Sequence, residues 1–460
     1  MKHLVLLFTF LSLSSFAQSV LVVDQYGGGQ YITINAALTA AVAGDTIKVM
    51  PGLYQEQINL TKKVHFLAMD TTAILDYQTN YTFYFNSGST GSSLQGFNIR
   101  KPLTAASGVK DILVASNIFD STIVTLGMGA GSAYFINNLL RNTTVNASNS
   151  SEKILIFNNK FVHISTTATI LTVSGGNVIV SNNEFWGGGT AISAGYNCNL
   201  IANNIYNPVS TGITFSHVGN IRIIANKILN AGQQGIYGVF NNSIRSQVFT
   251  NIIVSNNLVK GTATNGGIYF AGTSSYLEYK SLNSAITNNV VFGTGRGIYI
   301  SGGWTANTLF EIKNNILSNN TYEAVTTSYG IMSTDFNCTF SNGTNTLTGV
   351  GNLLSTNPLF VNATSGDFTL QSGSPCINTG SPVPQNYDLD RTRNDMGIYG
   401  GSYNWDNMHA GAENSKVLEL LLSPVATAQG NTITITGSGV ANKTLQNTSQ
   451  SNQNNSNTTK

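Results

Sequence analysis

The chain has 460 residues, of which 41% are apolar and only 9% are charged. Since a globular protein typically has about 25% charged residues, uncharged polar residues must cover much of this surface. The 22 basic and 20 acidic residues are scattered and leave a formal net charge of +2, which excludes a clustered basic surface for nucleic acid. Low charge combined with many apolar residues also excludes a largely disordered chain.

The N-terminal segment has the pattern of a secretory signal peptide. Lys2 supplies a positive end, an apolar run extends from Leu4 to Leu13, and Ser15-Phe16-Ala17 offers a small-x-small cleavage site. This run is too short for a membrane span, and no later segment is longer. We therefore expect residues 1–17 to be removed, and the mature protein to be secreted or held at the cell surface without a membrane span.

Three cysteines, Cys198, Cys338 and Cys376, form no short-spaced pair. An odd number without close spacing argues against a disulfide framework, although one bridge stays open. We expect three buried small apolar side chains.

A motif of apolar residues around an asparagine pair recurs along the chain, as in "NVIVSNNEFWGG" at 177–188. The last asparagine of each copy, or its single equivalent, is Asn117, Asn138, Asn159, Asn183, Asn204, Asn226, Asn257, Asn289, Asn315 or Asn352. Successive spacings are 21, 21, 24, 21, 22, 31, 32, 26 and 37 residues, and Gly96 extends the series backward by 21. A period that only ever lengthens is typical of a solenoid with insertions in its loops.

Each repeat consists of short strand patterns separated by polar or glycine turns, which excludes helical repeats. Three short strands in each repeat predict a parallel β-helix of about 10–12 coils. Asparagine tolerates the left-handed backbone needed where strands bend, and stacked asparagines can join in a ladder of amides. We therefore predict a structural role for these asparagines, with Asn159 and Asn183 on adjacent coils.

With this repeat and two flanking segments, the chain resembles the right-handed parallel β-helix (pectin-lyase-like) family of secreted bacterial proteins. The segment "YITINAALTAAVAGDTIKVMPGLYQEQINL" is similar to the family's entry, in which a helix covers the open end of the solenoid. Ile34, Ala37, Leu38 and Ala41 form an apolar face of this helix, Gly44 ends it, and the cap occupies about 30–50.

The segments "NPLFVNATSGDFTLQSGSPCINTGS" and "DLDRTRNDMGIYGG" are similar to the closing segment of such proteins, at about 357–405. The resemblance covers about 25–405 and implies an all-β, right-handed parallel β-helix over 18–405. Beyond it, 415–442 has the pattern of strands in a small β appendage. Residues 443–460, which are mostly Asn, Gln, Ser and Thr, are expected to be disordered.

The distribution of charge directs attention to one half of the repeats. Between Val162 and Ile221 the single charged residue is Glu184, so no acid–base or cation site is expected there. From Arg222 to Asp335 there are eleven charged residues, together with the longest repeats. Long loops on a rigid scaffold are where function concentrates.

The same half contains "GIY" at 235–237, 267–269 and 297–299, preceded by "GIT" at 212–214 and followed by "GIM" at 330–332. Strand alternation directs the isoleucines inward and Tyr237, Tyr269 and Tyr299 outward. Stacked tyrosines offer a platform for sugar rings, with Arg296 beside Tyr299 to bind a carboxylate. The alternative is that inserted loops cover these tyrosines, which then serve packing.

The resemblance implies that polysaccharide-active members work on the outside of the helix. A lyase there needs a Lys or Arg base and cations, often calcium held by carboxylates. Our candidate catalytic residues are Lys280 and Arg296, and our candidate substrate-binding residues are Tyr237, Tyr269, Tyr299, Arg245 and Glu278.

No metal site is predicted. Asp388, Asp390 and Asp395 begin like a calcium loop, but the glycine and the distal glutamate of an EF-hand are missing. We assign them a structural role, and Ca²⁺ enters only with the lyase alternative.

The sequence thus predicts a secreted protein whose outer face contacts a polysaccharide, with an acidic one favoured, or a cell-surface glycan. One hypothesis is a non-catalytic surface, adhesion or glycan-binding protein. The alternative is a lyase-like enzyme, a carbon–oxygen lyase acting on an acidic, uronate-containing polysaccharide. No nucleophile triad, P-loop or dinucleotide motif is found in the sequence.

Overall fold

The computed structural model describes residues 18–77, 81–126, 129, 131–149, 152–216, 220–240, 251–261, 265–272, 282–302, 308–327, 331–403, 405–409, 416–423 and 434–440. The predicted signal peptide and polar tail lie outside the described residues. The chain divides into two units, Met1–Met408 and His409–Lys460, and each is described by itself.

Three parallel sheets, to which the chain contributes strands in turn, build the first unit. In the described residues, the first sheet has 14 strands: Val20–Val23, Thr46–Val49, His65–Ala68, Ser93–Gln95, Ile112–Ala115, Ala133–Ile136, Ile154–Phe157, Val178–Ser181, Cys198–Ile201, Ile221–Ile224, Ile252–Ser255, Leu282–Thr287, Thr308–Lys313 and Ile331–Asp335.

The second sheet has 13 strands in the same described ranges: Gly52–Tyr54, Ala73–Leu75, Asn98–Ile99, Ile118–Asp120, Leu139–Arg141, Lys160–His163, Glu184–Gly187, Asn204–Tyr206, Lys227–Leu229, Leu258–Lys260, Val290–Phe292, Ile316–Ser318 and Cys338–Phe340. The third sheet has 12 there: Ile58–Leu60, Phe83–Phe85, Leu103–Ala105, Ile123–Leu126, Thr144–Asn149, Thr169–Gly175, Thr190–Ala194, Thr211–Ser216, Gln234–Phe240, Gly266–Gly272, Ile298–Ser301 and Val325–Thr327. One strand from each sheet makes a coil, which gives about 12 coils and confirms the prediction of a parallel β-helix with about 10–12.

The core lies between the three sheets. It is filled by the side chains of alternate residues in each strand, which face inward. Its largest fully buried side chains are phenylalanines, and Phe161 stacks on Phe185 of the next coil with ring centroids 4.5 Å apart. One continuous core runs through the coils. Since alternate residues of each strand face outward, the outward residues of successive coils form regular rows.

The first coil begins earlier than the sequence suggested. Val20–Val23 precedes the helix and pairs in parallel with Thr46–Val49. The helix itself is Ile34–Ala40, with the Thr33 side chain accepting a hydrogen bond from the Ala36 N–H at its start. It ends before Ala41 rather than at Gly44, and its buried residues join the main core, as predicted for a capping helix.

The two asparagines of each doublet have different tasks. The first takes the left-handed backbone at the bend, as at Asn182 with φ 56°. The second is buried and joins the ladder: the Asn159 Nδ2 donates to the Asn183 Oδ1 at 2.9 Å. The predicted amide ladder and the adjacency of these two coils are therefore confirmed.

Two ladder positions differ from those predicted. At "IANN" the ladder residue is Asn203, which is fully buried, whereas Asn204 begins the next strand and is half-buried. The reason is that Ala202 takes the left-handed bend here, with φ 53°. Asn337 is a further member, bonded between Asn315 and Asn352, so the apparent spacing of 37 residues contains two coils.

The closing segment runs along the outside of the coils and is held by the bend asparagines. The side chains of these asparagines form hydrogen bonds with the backbone of the closing segment: Asn314 with Ser381, Asn288 with Asp395, and Asn256 with Ile398. Within it, Phe360–Asn362 and Asp367–Leu370 form an antiparallel pair, followed by the 3-10 helix Pro384–Asn386 and the helix Trp405–His409. Its apolar residues form a second buried cluster with the coils.

In the described residues of the second unit, Lys416–Ser423 pairs antiparallel with Thr434–Val440, which confirms the predicted C-terminal β appendage. Over the described ranges of the chain, none of the helices has the length and apolar character required to span a membrane. The three cysteines are buried and free, as expected from the sequence.

Candidate functional site: a tyrosine ladder on the third sheet

Tyr237, Tyr269 and Tyr299 lie directly opposite one another on consecutive strands of the third sheet. The isoleucine that precedes each tyrosine is fully buried, while each tyrosine is half-buried on the outer face. The predicted direction of these side chains is therefore correct. We call the three residues the tyrosine ladder.

The rings of the tyrosine ladder stack on one another. The centroids of Tyr237 and Tyr269 are 5.1 Å apart with planes at 27°, and those of Tyr269 and Tyr299 are 4.6 Å apart with planes at 11°. The Tyr269 hydroxyl is 2.9 Å from the Ser301 Oγ. Burial and the neighbouring Tyr269 raise the pKa of Tyr237, so its hydroxyl stays protonated and can donate a hydrogen bond at neutral pH.

An arginine covers one end of the ladder. The Arg296 Cζ lies 4.8 Å from the ring centroid of Tyr299 and 5.1 Å from that of Tyr322. Its Nε donates to the Glu323 Oε2 at 3.1 Å, and the Thr326 hydroxyl donates to the same oxygen at 3.1 Å. This guanidinium thus already has a carboxylate partner.

The charge of that partner is stabilised locally. The backbone N–H of Glu323, the Thr326 hydroxyl and the Arg296 guanidinium hold the pKa of Glu323 below its usual range. The pair is consequently ionised on both sides at neutral pH. Its two charges balance, so the end of the tyrosine ladder carries no net charge.

The ladder does not continue where the sequence suggested. The strand of the third sheet opposite Tyr299 is Val325–Thr327, with Thr326 in the tyrosine position. Ile331–Asp335, which follows the "GIM" motif, belongs to the first sheet instead. The motif was therefore wrongly assigned to this ladder, whereas Thr214 of "GIT" does lie opposite Tyr237.

The other three candidate residues remain predictions from the sequence. Arg245, Glu278 and Lys280 lie outside the described residues. In the sequence, Arg245 follows the strand of Tyr237, and Glu278 and Lys280 follow the strand of Tyr269. Of the candidate catalytic and binding set, the structure brings together the three tyrosines and Arg296.

A second aromatic cluster lies on the second sheet, where no charged site was expected. Trp186 stacks on Tyr206 with centroids 4.3 Å apart, and its indole N–H donates to Glu184. Lys160, from the preceding coil, pairs with Glu184 at 3.0 Å and lies 5.9 Å from the Trp186 ring centroid. Counting charges along the chain missed this pair because a coil places residues 24 apart side by side.

The aspartates of the closing segment bond to backbone groups. Asp388 accepts hydrogen bonds from the N–H groups of Asp395 and Gly401, and Asp395 accepts one from that of Asn378. Among the residues that the structure describes, no group of three or more His, Cys, Asp or Glu side chains is placed to hold a metal ion.

Comparisons with known proteins give fold-level likeness only. No protein-family profile and no curated protein matches the sequence. Among solved structures, the chain is similar to pectate lyase Pel9A, with a TM-score of 0.43 and 13% identity over 84% of this chain and 97% of that one. It is also similar to the PL6 family alginate lyase AlyGC, with a TM-score of 0.39 and 13% identity over 72% of this chain and 53% of that one.

Proposed function

We propose that the protein binds carbohydrate without cleaving it, and that the tyrosine ladder on the outer face of the third sheet is the centre of the binding surface. The observation that carries this proposal is the half-buried stack of Tyr237, Tyr269 and Tyr299. Stacked aromatic rings are rigid, combine an apolar body with a polar tip, and lose little conformational entropy when a ligand binds.

The surroundings of Arg296 favour binding over catalysis. A lyase needs a base that can accept a proton at neutral pH. A guanidinium is always charged in proteins, and this one is held between two tyrosine rings and a carboxylate. These contacts make Arg296 a positioning group at the end of the ladder.

The test is binding of the purified protein to a glycan array, compared with that of the double variant Tyr237→Ala, Tyr269→Ala. We expect the double variant to lose binding at least tenfold. The matched control is Tyr237→Phe, Tyr269→Phe, which keeps the rings and should retain most of the affinity. Equal binding by the Ala variant would contradict the proposed site.

Turnover is measured on the same protein with uronate polymers, with and without calcium, by the ultraviolet absorbance of unsaturated sugar ends. We expect no increase in absorbance. A calcium-dependent rise that Arg296→Lys abolishes would overturn the non-catalytic assignment in favour of a lyase.

A further inference from the structure

The outer face of the third sheet differs from the other two sheets in its charge. From Leu103–Ala105 to Ile298–Ser301, none of the nine described strands of this sheet contains a charged residue. Over the same coils, the other sheets include Asp120, Arg141, Lys160, Glu184 and Arg222. Charged residues are therefore absent from these nine strands, and the Arg296–Glu323 pair lies at the end of the tyrosine ladder, outside them.

A row of polar residues leads along this face to the tyrosine ladder. Its members lie opposite one another in successive strands: Thr104, Thr125, Asn146, Thr172, Ser193 and Thr214, followed by Tyr237. We call the six residues before Tyr237 the polar row. At about 4.8 Å per coil, it extends roughly 29 Å from Thr104 to Tyr237.

The side chains of the polar row can form hydrogen bonds with a ligand. Asn146 and Thr172 are exposed, and the other four are half-buried. Within the described part of the chain, none of the six forms a hydrogen bond from its side chain to another protein group. This contrasts with the buried asparagine ladder, where each amide bonds to the next coil.

Where the polar row meets the tyrosine ladder, a small side chain lies beside a large ring. The rings of the ladder face one another along the stack, so a ligand ring can stack only on the ring at either end. Arg296 covers the Tyr299 end. At the other end, the residue opposite Tyr237 on the preceding coil is the much smaller Thr214. Among the described residues, no ring contacts the face of Tyr237 that points toward Thr214.

We propose that the polar row binds an extended, uncharged polysaccharide chain, whose terminal bound ring stacks on Tyr237 above Thr214. This inference rests on the proposed function and specifies its ligand class. Hydroxyl and amide groups at regular spacing suit the hydroxyls of neutral sugars. A polyanion would find no cation within the described strands that carry the row, and so nothing there to compensate the loss of its hydration.

The experiment is isothermal titration calorimetry with neutral hexasaccharides of glucose, mannose and xylose, and with hexamers of galacturonate and mannuronate, at low and high salt. We expect at least one neutral hexamer to bind, with an affinity that rises from disaccharide to hexasaccharide and does not change with salt. Charge-driven binding would weaken as salt increases.

The placement is tested with Thr214→Tyr, which should continue the stack and fill the position of the ligand ring. Tyrosine is tolerated at this register in the next three coils, so the variant should fold. We expect at least a tenfold loss of affinity. The matched control is Asn59→Tyr, which is exposed in the same register beside Tyr84 but beyond the polar row, and which should bind normally.

The outcomes separate the two proposals. Salt-sensitive binding of uronate hexamers alone would overturn this inference and leave the proposed function standing. Absence of binding by every hexamer would overturn this inference, and absence of binding on the glycan array as well would overturn the proposed function. Binding of a neutral hexamer that Thr214→Tyr does not weaken would refute the position on Tyr237.

Discussion

The Asn183 Nδ2 donates to the Asn203 Oδ1 at 3.0 Å, and the Asn203 Nδ2 in turn reaches the Asn226 Oδ1 at 2.9 Å. The Asn203 Oδ1 also accepts the Asn183 backbone N–H at 3.1 Å. One buried amide thus satisfies groups on both neighbouring coils. Its neighbour Asn204 takes no part in the ladder.

Asn203→Ala should therefore cost far more stability than Asn204→Ala. The first leaves the buried donors of Asn183 without this acceptor, and each such loss costs about 1–3 kcal/mol. The second removes a half-buried side chain and should stay within about 0.5 kcal/mol. Denaturant unfolding measures both. Equal losses would mean that the doublet, and not the ladder position, carries the stability.

The bend position should tolerate glycine and reject a β-branched residue. Asn182 has φ 56°, a conformation that is easy for Gly and strained for Val. We expect Asn182→Val to cost about 1–3 kcal/mol and Asn182→Gly to be within about 0.5 kcal/mol. Thermal unfolding of the two variants, side by side, checks this. A Val variant as stable as the Gly variant would contradict the strain.

Asp388 should make stability fall as the pH rises from about 4 to 6. Burial, together with the nearby Asp395 and Asp390 carboxylates, raises its pKa from 3.8 to about 6 despite the Gly401 N–H. In that window the unfolded chain releases the proton while the folded chain holds it, so folding becomes less favourable as the pH increases. Melting temperatures of the protein and of Asp388→Asn from pH 4 to 7 should therefore converge toward low pH. Parallel curves would contradict the assignment.

The cysteines should be unreactive in the folded protein. Burial raises the pKa of Cys198 to about 12, and a hydrogen bond with the Cys376 thiol together with burial raises the pKa of Cys338. Since the thiolate is the reactive form, a thiol reagent at pH 8 should label none of the three until guanidinium unfolds the chain. Three thiols should then react. A count of one would instead show that two of the cysteines form a disulfide.

Glu323→Gln should shift ligand preference toward acidic sugars. Glu323 balances the charge of Arg296 at the end of the ladder. Without it, the guanidinium becomes an uncompensated cation, so the ratio of uronate to neutral hexamer affinity should rise several-fold at low salt. Arg296→Gln in the same background is the control and should cancel the shift. An unchanged ratio would show that Arg296 does not reach the ligand.

The period of the asparagine motif was sufficient to predict the fold, because each coil repeats the same two tasks at the bend. The errors arose where another residue performs one of them. Ala202 takes the left-handed bend before Asn203, and Phe336 does so before Asn337, with φ 53° and 56°. A search for asparagine pairs therefore selects Asn204 in place of Asn203 and misses Asn337.

The candidate site was predictable only in part. Strand alternation correctly directs the three tyrosines outward, because that rule is local. The contacts of Arg296 with Glu323, and of Lys160 with Glu184, join residues 27 and 24 apart. They depend on the length of each coil and on its register, which the sequence pattern defines to within a few residues at best.

The asparagine ladder also bears on how such a chain can lengthen in evolution. Each rung receives bonds from the coil before it and gives bonds to the coil after it, so a duplicated coil supplies its own partners on both sides. Tandem duplication of one whole repeat should therefore preserve the hydrogen bonds of the asparagine ladder at the bend. Deletion of a single residue from a strand would instead shift the residues that follow it out of register with both neighbouring coils.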